Sequence, residues 1–107
     1  MTVHIVVHLF AANGAKEGMK AYEEKALRIF RRHGGEILAA FKPDSKSGDK
    51  PAPDEIQILR IRSREDFEKF MNDPDRVGMS DERNRVIAKT EVFISKEDVA
   101  YASEKHD

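Results

Sequence analysis

The sequence predicts an α+β fold in which one four-stranded antiparallel sheet carries its helices on one face. Four short segments have the two-residue apolar period or the continuous apolar run of strands, and two longer regions have apolar residues spaced three and four apart, as amphipathic helices do. A length of 107 residues is typical of one domain. We therefore expect a single domain over 1–107, with a core at about 3–96 and a polar C-terminal tail at 97–107.

The first strand and the first helix account for the opening third of the chain. Residues 3–10 alternate with apolar side chains on both faces, which indicates a central strand covered on both sides. Residues 15–33 carry an apolar stripe that includes Tyr22 and Phe30, and Asn13 is the expected N-cap. The pair Gly34-Gly35 then supplies the left-handed residue that ends a helix.

Two strands and a polar loop follow. Residues 36–42 alternate as a second strand, and residues 55–62 form a third. Between them, 43–54 is rich in charged residues, serine and proline, which predicts a solvated loop.

The last third predicts a helical region and a final strand. Ser63 is expected to cap the first helix, with Asp66 at its third position. Asp73 caps a restart, because Pro74 suits the first position of a helix. The apolar face of the region is expected to comprise Phe67, Phe70, Met71, Val77, Met79, Val86 and Ile87. Residues 89–96 form the fourth strand.

The element order β-α-β-β-α-β predicts a ferredoxin-like topology. Two right-handed crossovers interleave into one sheet of order 4-1-3-2, with both helices on one face. Either face of the first strand is too apolar for water, and the chain has no further element to cover the second face. A second copy of the chain, related by a two-fold axis, is the expected cover, so the sequence predicts a homodimer that forms through the sheet.

Several segments resemble the dimeric α+β barrel superfamily, in which two ferredoxin-like protomers close their sheets face to face. They are the opening strand at 4–7, the junction 33–36, the segment 63–67, and Asn72 to Arg76 with Arg83 downstream. The chain is most similar to the small barrels of that superfamily classed as domains of unknown function. The superfamily also contains cofactor-free monooxygenases, isomerases and haem-degrading enzymes. The chain departs from the family pattern at Arg76, where relatives have tyrosine.

His4, His8, Arg60 and Arg62 are the candidate polar groups of the resulting lumen. The two histidines stand ~13 Å apart on one strand, which excludes joint ligation of one metal ion. Either one acts as a base or hydrogen-bond partner in the lumen, or both are satisfied histidines on a mixed face. The two arginines share a strand parity opposite to Leu59. They bind an anionic ligand, pair with a carboxylate from Glu36 or Glu91, or are simply exposed near the end of the strand.

Tyr22, Glu91 and Arg83 complete the candidate ligand-binding set. Tyr22 either points its hydroxyl into a pocket or is a core residue with a satisfied polar tip. Arg83 matches the arginine of the resembling family, and a surface or interface role is the alternative. His4 and His8 are the candidate catalytic residues, while the catalytic set itself stays unknown.

The amino-acid composition excludes several classes of function. A net charge of −1 lacks the basic excess of a nucleic-acid-binding domain. The absence of cysteine excludes disulfides and thiolate metal sites, and no apolar run reaches the length of a membrane helix. We expect a cytoplasmic protein without metal or cofactor that binds a small apolar or anionic molecule in its lumen. The alternative is a cofactor-free monooxygenase-like or isomerase-like enzyme acting on a small organic substrate.

Overall fold

The computed structural model describes residues 1–44 and 48–101, which include all the predicted strands and helices. Positions 45–47 of the predicted loop and 102–107 of the predicted tail lie outside the described residues. The elements in chain order are β1 (Val3–Ala11), α1 (Lys16–Arg32), β2 (Glu36–Phe41), β3 (Glu55–Ile61), α2 (Arg64–Met71), α3 (Pro74–Val77), α4 (Ser80–Val86) and β4 (Ile87–Ile94).

The four strands form one antiparallel sheet of order β2-β3-β1-β4, which confirms the predicted topology. β1 lies between β3 and β4, as expected for a strand that is apolar on both faces. Its register places His4 opposite Arg60 and Val6 opposite Ile58. On the other side of β1, His8 lies opposite Glu91. The polar candidates on the strands are therefore neighbours on one face.

Only the C-terminal end of α1 matches the prediction. Asn13 was the expected N-cap, but the cap is Ala15, which makes no side-chain capping bond. At the other end Gly34 has a φ of +86°, the left-handed conformation that a glycine adopts without strain. A Cβ on Gly35 would come within 2.3 Å of the Phe30 ring, so the chain turns against that ring only because the residue lacks a side chain.

The second helical region is broken into three helices. The Ser63 hydroxyl accepts the Asp66 N–H at 3.0 Å, which confirms the predicted cap. Asp73 caps α3 by accepting the Asp75 N–H at 2.8 Å, and it also lies 2.8 Å from His33 Nε2. The His33 hydrogen bond is the main reason that the pKa of Asp73 lies below its usual range.

Two expectations for this region are wrong. Ile87 was assigned to the helix, but it begins β4, and α4 runs into β4 with no connecting loop. Met71 and Val77 were expected to be buried, but both are exposed. Asp73 is not helical and caps a new helix, so a single helical stripe does not extend through the region.

The core lies between the helices and one face of the sheet. One cluster joins Ile5 and Leu59 of the sheet to Phe30 and Phe70 of the helices. A second cluster joins Leu9 and Ile87 to the first half of α1. Phe30 is fully buried and meets the Phe70 ring edge-on, with centroids 5.1 Å apart. The apolar stripe of α1 therefore faces the sheet as predicted, with Ile29 as a further member.

The opposite face of the sheet carries no helix, and we call it the helix-free face. Its residues alternate with the core residues and include Val6, His8, Ile58 and Phe93. The Phe93 side chain is 58% exposed. No helix within residues 1–44 and 48–101 is both long and apolar enough to cross a bilayer.

Candidate functional site

Two of the polar candidates on the helix-free face, Arg60 and His8, already contact carboxylates of this face. Arg60 donates two hydrogen bonds of 3.1 Å to the two carboxylate oxygens of Glu36. This pairing lowers the pKa of Glu36. His8 Nδ1 lies 3.2 Å from Glu91 Oε1, and this contact is the main reason that the pKa of Glu91 is lowered. Arg60 thus pairs with Glu36, one of the two carboxylates that the sequence indicates as alternative partners.

The remaining candidates of this group lie apart from these pairs. The His4 side chain is half-buried on the same face, beside Arg60 in the register. Arg62 lies beyond the end of β3, where strand alternation no longer sets its direction. It pairs with Asp66 at 3.2 Å and packs against Gly34. The structure therefore does not bring Arg62 to the histidines.

A cavity of about 400 Å³ lies on the other side of the sheet, between the strands and the helices. We call it the helix-side cavity. Its size falls within the range of small-molecule sites. Its apolar wall comes from core residues of both layers, among them Ile5, Leu59, Phe30 and Phe67. Its polar lining comprises Tyr22, Glu23, Gln57, Arg76, Arg83 and Thr90. A few polar groups among apolar walls are typical of ligand sites.

Gln57 and Glu23 form the acidic side of the cavity. Gln57 shares the strand parity of Leu59, which places its side chain on the helix side, where it is 2% exposed. Its Nε2 donates to Glu23 Oε1 at 2.9 Å and to Glu55 Oε2 at 2.9 Å. Burial raises the pKa of Glu23, and the Gln57 hydrogen bond offsets only part of that shift. Glu23 is therefore a desolvated carboxyl held at one oxygen.

Arg76 and Arg83 form the basic side. Arg76 comes from α3, stacks over the Phe70 ring at 5.2 Å from its centroid, and donates to the Met71 carbonyl. Arg83 comes from α4 and donates to Thr90 Oγ1 at 2.9 Å. Within the part of the chain that the structure describes, neither guanidinium forms a salt bridge with a carboxylate. Both guanidinium groups thus line the cavity without a salt bridge, and Glu23 is a carboxylate on which they act from beyond salt-bridge distance.

Tyr22 lies between these two sides. Its side chain is buried, and burial is the main reason that the pKa of its hydroxyl is raised. Arg76 and Arg83 act on that hydroxyl in the opposite direction, as expected for nearby cations. The Tyr22 hydroxyl makes no hydrogen bond to any of the described residues, so it is available to a ligand.

An open groove of about 560 Å³ adjoins the cavity along α1 and the ends of β2 and β3. Glu23 and Leu27 line both spaces, whereas Glu24 and Glu55 line the groove alone. Glu23 therefore stands where the cavity meets the groove. In residues 1–44 and 48–101, no group of three or more histidine, aspartate or glutamate side chains is arranged to hold a metal ion.

The structure places two of the sequence candidates, Tyr22 and Arg83, in this cavity. It adds Glu23, Gln57 and Arg76, which sequence reasoning missed. Gln57 carried a usable signal, because it is a polar residue on the strand parity that faces the helices. Arg76 was noticed only as a departure from the pattern of the resembling family. Glu23 carried no signal beyond its place beside Tyr22.

The chain matches one family model and many solved structures. The model described as "Domain of unknown function (DUF1330)" matches residues 2–97. No curated protein matches the chain. A protein of unknown function from Rhodopseudomonas palustris is 16% identical with a TM-score of 0.74, over 92% of this chain and 84% of its own.

Two further structures share the architecture. A DABB family protein with a ferredoxin-like fold from Mesorhizobium loti is 12% identical, with a TM-score of 0.67, over 90% of this chain and 96% of its own. A cofactor-independent oxygenase from Streptomyces nogalater is 12% identical, with a TM-score of 0.67, over 94% of this chain and 97% of its own. At such identities the likeness shows the fold alone.

Proposed function

The chain belongs to the DUF1330 family of domains of unknown function, and we propose that it binds a small organic anion with an apolar body in the helix-side cavity. The observation that carries the proposal is the pair Arg76 and Arg83. Both line the cavity, and neither forms a salt bridge with a carboxylate of the described residues; Glu23 adds one negative charge beside their two positive charges. Both arginines are half-buried, and an excess of one positive charge beside an apolar wall favours an anionic ligand.

The rest of the cavity suits the apolar part of such a ligand. Ile5, Leu59 and Phe67 offer hydrocarbon walls, and burial of ligand surface against them supplies the non-directional part of the affinity. The polar groups converge from one helix, two strands and the broken helical region, so they can orient a ligand as well as hold it. The prediction that the ligand sits in the lumen of a dimer, near His8 and Arg60, is the rival location.

Titration with phenylacetate, followed calorimetrically and by amide chemical shifts, tests the proposal. The anion is expected to bind, and the uncharged analogue 2-phenylethanol to bind more weakly. Arg83→Met is expected to weaken phenylacetate binding about tenfold or more, since a hydrogen bond to a charged group contributes ~1.5–3 kcal/mol. Arg85→Met is the matched control, because Arg85 is exposed on the same helix and does not line the cavity.

Two variants separate the rival locations. His8→Ala and Arg60→Ala are expected to leave binding unchanged. Loss of binding in these variants with normal binding in Arg83→Met would place the ligand in the lumen and contradict the proposal. Absence of phenylacetate binding, or equal binding of the uncharged analogue, would also contradict it. Circular dichroism of each variant shows that the fold is intact.

A further inference from the structure

We infer that Glu23 is a proton-transfer group acting on a 2-oxo acid with an apolar side chain, held in the helix-side cavity with its carboxylate at Arg76 and Arg83. The inference rests on the proposed function and adds a reaction to it. It comes from four groups that line the cavity and that the described structure leaves with free bonding capacity. They are one oxygen of Glu23, the hydroxyl of Tyr22 and the two guanidinium groups.

The charges of the cavity select a monoanion. Arg76 and Arg83 contribute two positive charges and an ionised Glu23 one negative charge, which leaves an excess of one positive charge. One substrate carboxylate balances that excess. Carbon 3 of a 2-oxo acid is two bonds from the carboxylate carbon, so a carboxylate held at Arg76 and Arg83 leaves the C–H next to the carbonyl in the cavity that Glu23 also lines.

The hydrogen bond from Gln57 prepares Glu23 for this role. Gln57 Nε2 holds Glu23 Oε1 at 2.9 Å, and no described residue hydrogen-bonds Oε2. A carboxylate whose charged form is destabilised by partial burial is a stronger base than one in water. Gln57 Nε2 also donates to Glu55, and the negative charge of Glu55 further raises the pKa of Glu23.

The step needs no oxidant or reductant. Glu23 Oε2 takes a proton from carbon 3 of the 2-oxo acid, and the electron pair of that C–H bond forms a double bond between carbons 2 and 3. The carbonyl π pair moves to its oxygen, and the resulting enolate accepts a hydrogen bond from the Tyr22 hydroxyl. Return of a proton from Glu23 to carbon 3 restores the 2-oxo acid, so the net reaction is exchange of the carbon 3 proton with solvent.

The groove gives this proton a route to water. Glu23 lines both the cavity and the groove, so a proton taken from the substrate can exchange with water in the groove while the ligand stays bound in the cavity. In heavy water the returning particle is then a deuteron. The reaction therefore labels carbon 3 at a rate that depends on Glu23.

The experiment follows loss of the carbon 3 proton signal of phenylpyruvate and of 4-methyl-2-oxopentanoate by NMR in heavy water. The wild-type protein is expected to accelerate exchange over buffer. Glu23→Gln is expected to lower the protein-dependent rate roughly 100-fold, the usual contribution of a positioned general base. Glu24→Gln is the matched control, since Glu24 is exposed on the same helix and lines only the groove; its rate is expected to equal that of the wild type.

Binding is measured on the same samples by titration, which separates the two proposals. Both acids binding without protein-dependent exchange would overturn the inference and leave the proposed function standing. Exchange that is equally fast in Glu23→Gln would also overturn it. Failure of both acids and of phenylacetate to bind would overturn the proposed function, and the inference with it. Glu23→Asp is a second variant that keeps the carboxylate if glutamine at this position disturbs the fold.

Discussion

Replacing Phe30 by alanine tests the packing of α1 on the sheet. Phe30 is 0% exposed and its ring meets Phe70 at a centroid distance of 5.1 Å. Loss of its burial costs ~2–3 kcal/mol, and loss of the aromatic pair adds ~1 kcal/mol. The void left beneath Gly35 adds a further cavity cost, so Phe30→Ala is expected to lower the free energy of unfolding by about 3–5 kcal/mol.

Urea unfolding followed by circular dichroism measures this loss. Val77→Ala is the control, because Val77 is 53% exposed and its truncation is expected to change stability by less than ~0.5 kcal/mol. A Phe30→Ala protein that loses less than ~1 kcal/mol would refute the reasoning. It would show that the helix packs on the sheet mainly through residues other than the one at its centre.

The remaining predictions concern pH and assembly. Because the pKa of Glu23 is raised above 4.5 on folding, the folded protein holds that proton more tightly than the unfolded chain. The free energy of unfolding of the wild type is expected to fall relative to Glu23→Gln as pH rises from 4.5 through the raised pKa; parallel pH curves would contradict this. The protein is expected to sediment as a homodimer that buries upwards of ~1,200 Å² in total, and a stable folded monomer at micromolar concentration would contradict it.

The strands, the first helix and the N-caps of α2 and α3 could be predicted, because each depends on interactions among residues close together in the sequence. The alternation of β1, the Ser63 cap and the Asp73 cap with Pro74 are signals that act within a few residues. The junction at Ile87 could not be predicted in the same way. An isoleucine at this position extends the apolar face of the helix after Val86 and is also common in strands. Its pairing with Ala11 of β1 places it in the strand.

The candidate site was only partly predictable because it is assembled from distant segments. Tyr22 and Arg83 were recognisable one by one, but nothing local shows that α3 and α4 bring Arg76 and Arg83 to the same cavity. That meeting depends on where α3 and α4 lie after the break at Asp73. The alternation of side chains along the strands correctly placed His4, His8 and Arg60 on one face of the sheet. It gives no information on which helical side chains line the opposite face.

The direct passage from α4 into β4 constrains how the length of this chain can vary. One residue inserted after Val86 would shift β4 by one position against β1, and every side chain of the strand would change face. Phe93 and Glu91 would turn toward the helices, while Thr90 would leave Arg83. Related proteins should therefore tolerate insertions and deletions in the segment 43–54 and keep a constant number of residues between Arg83 and Thr90.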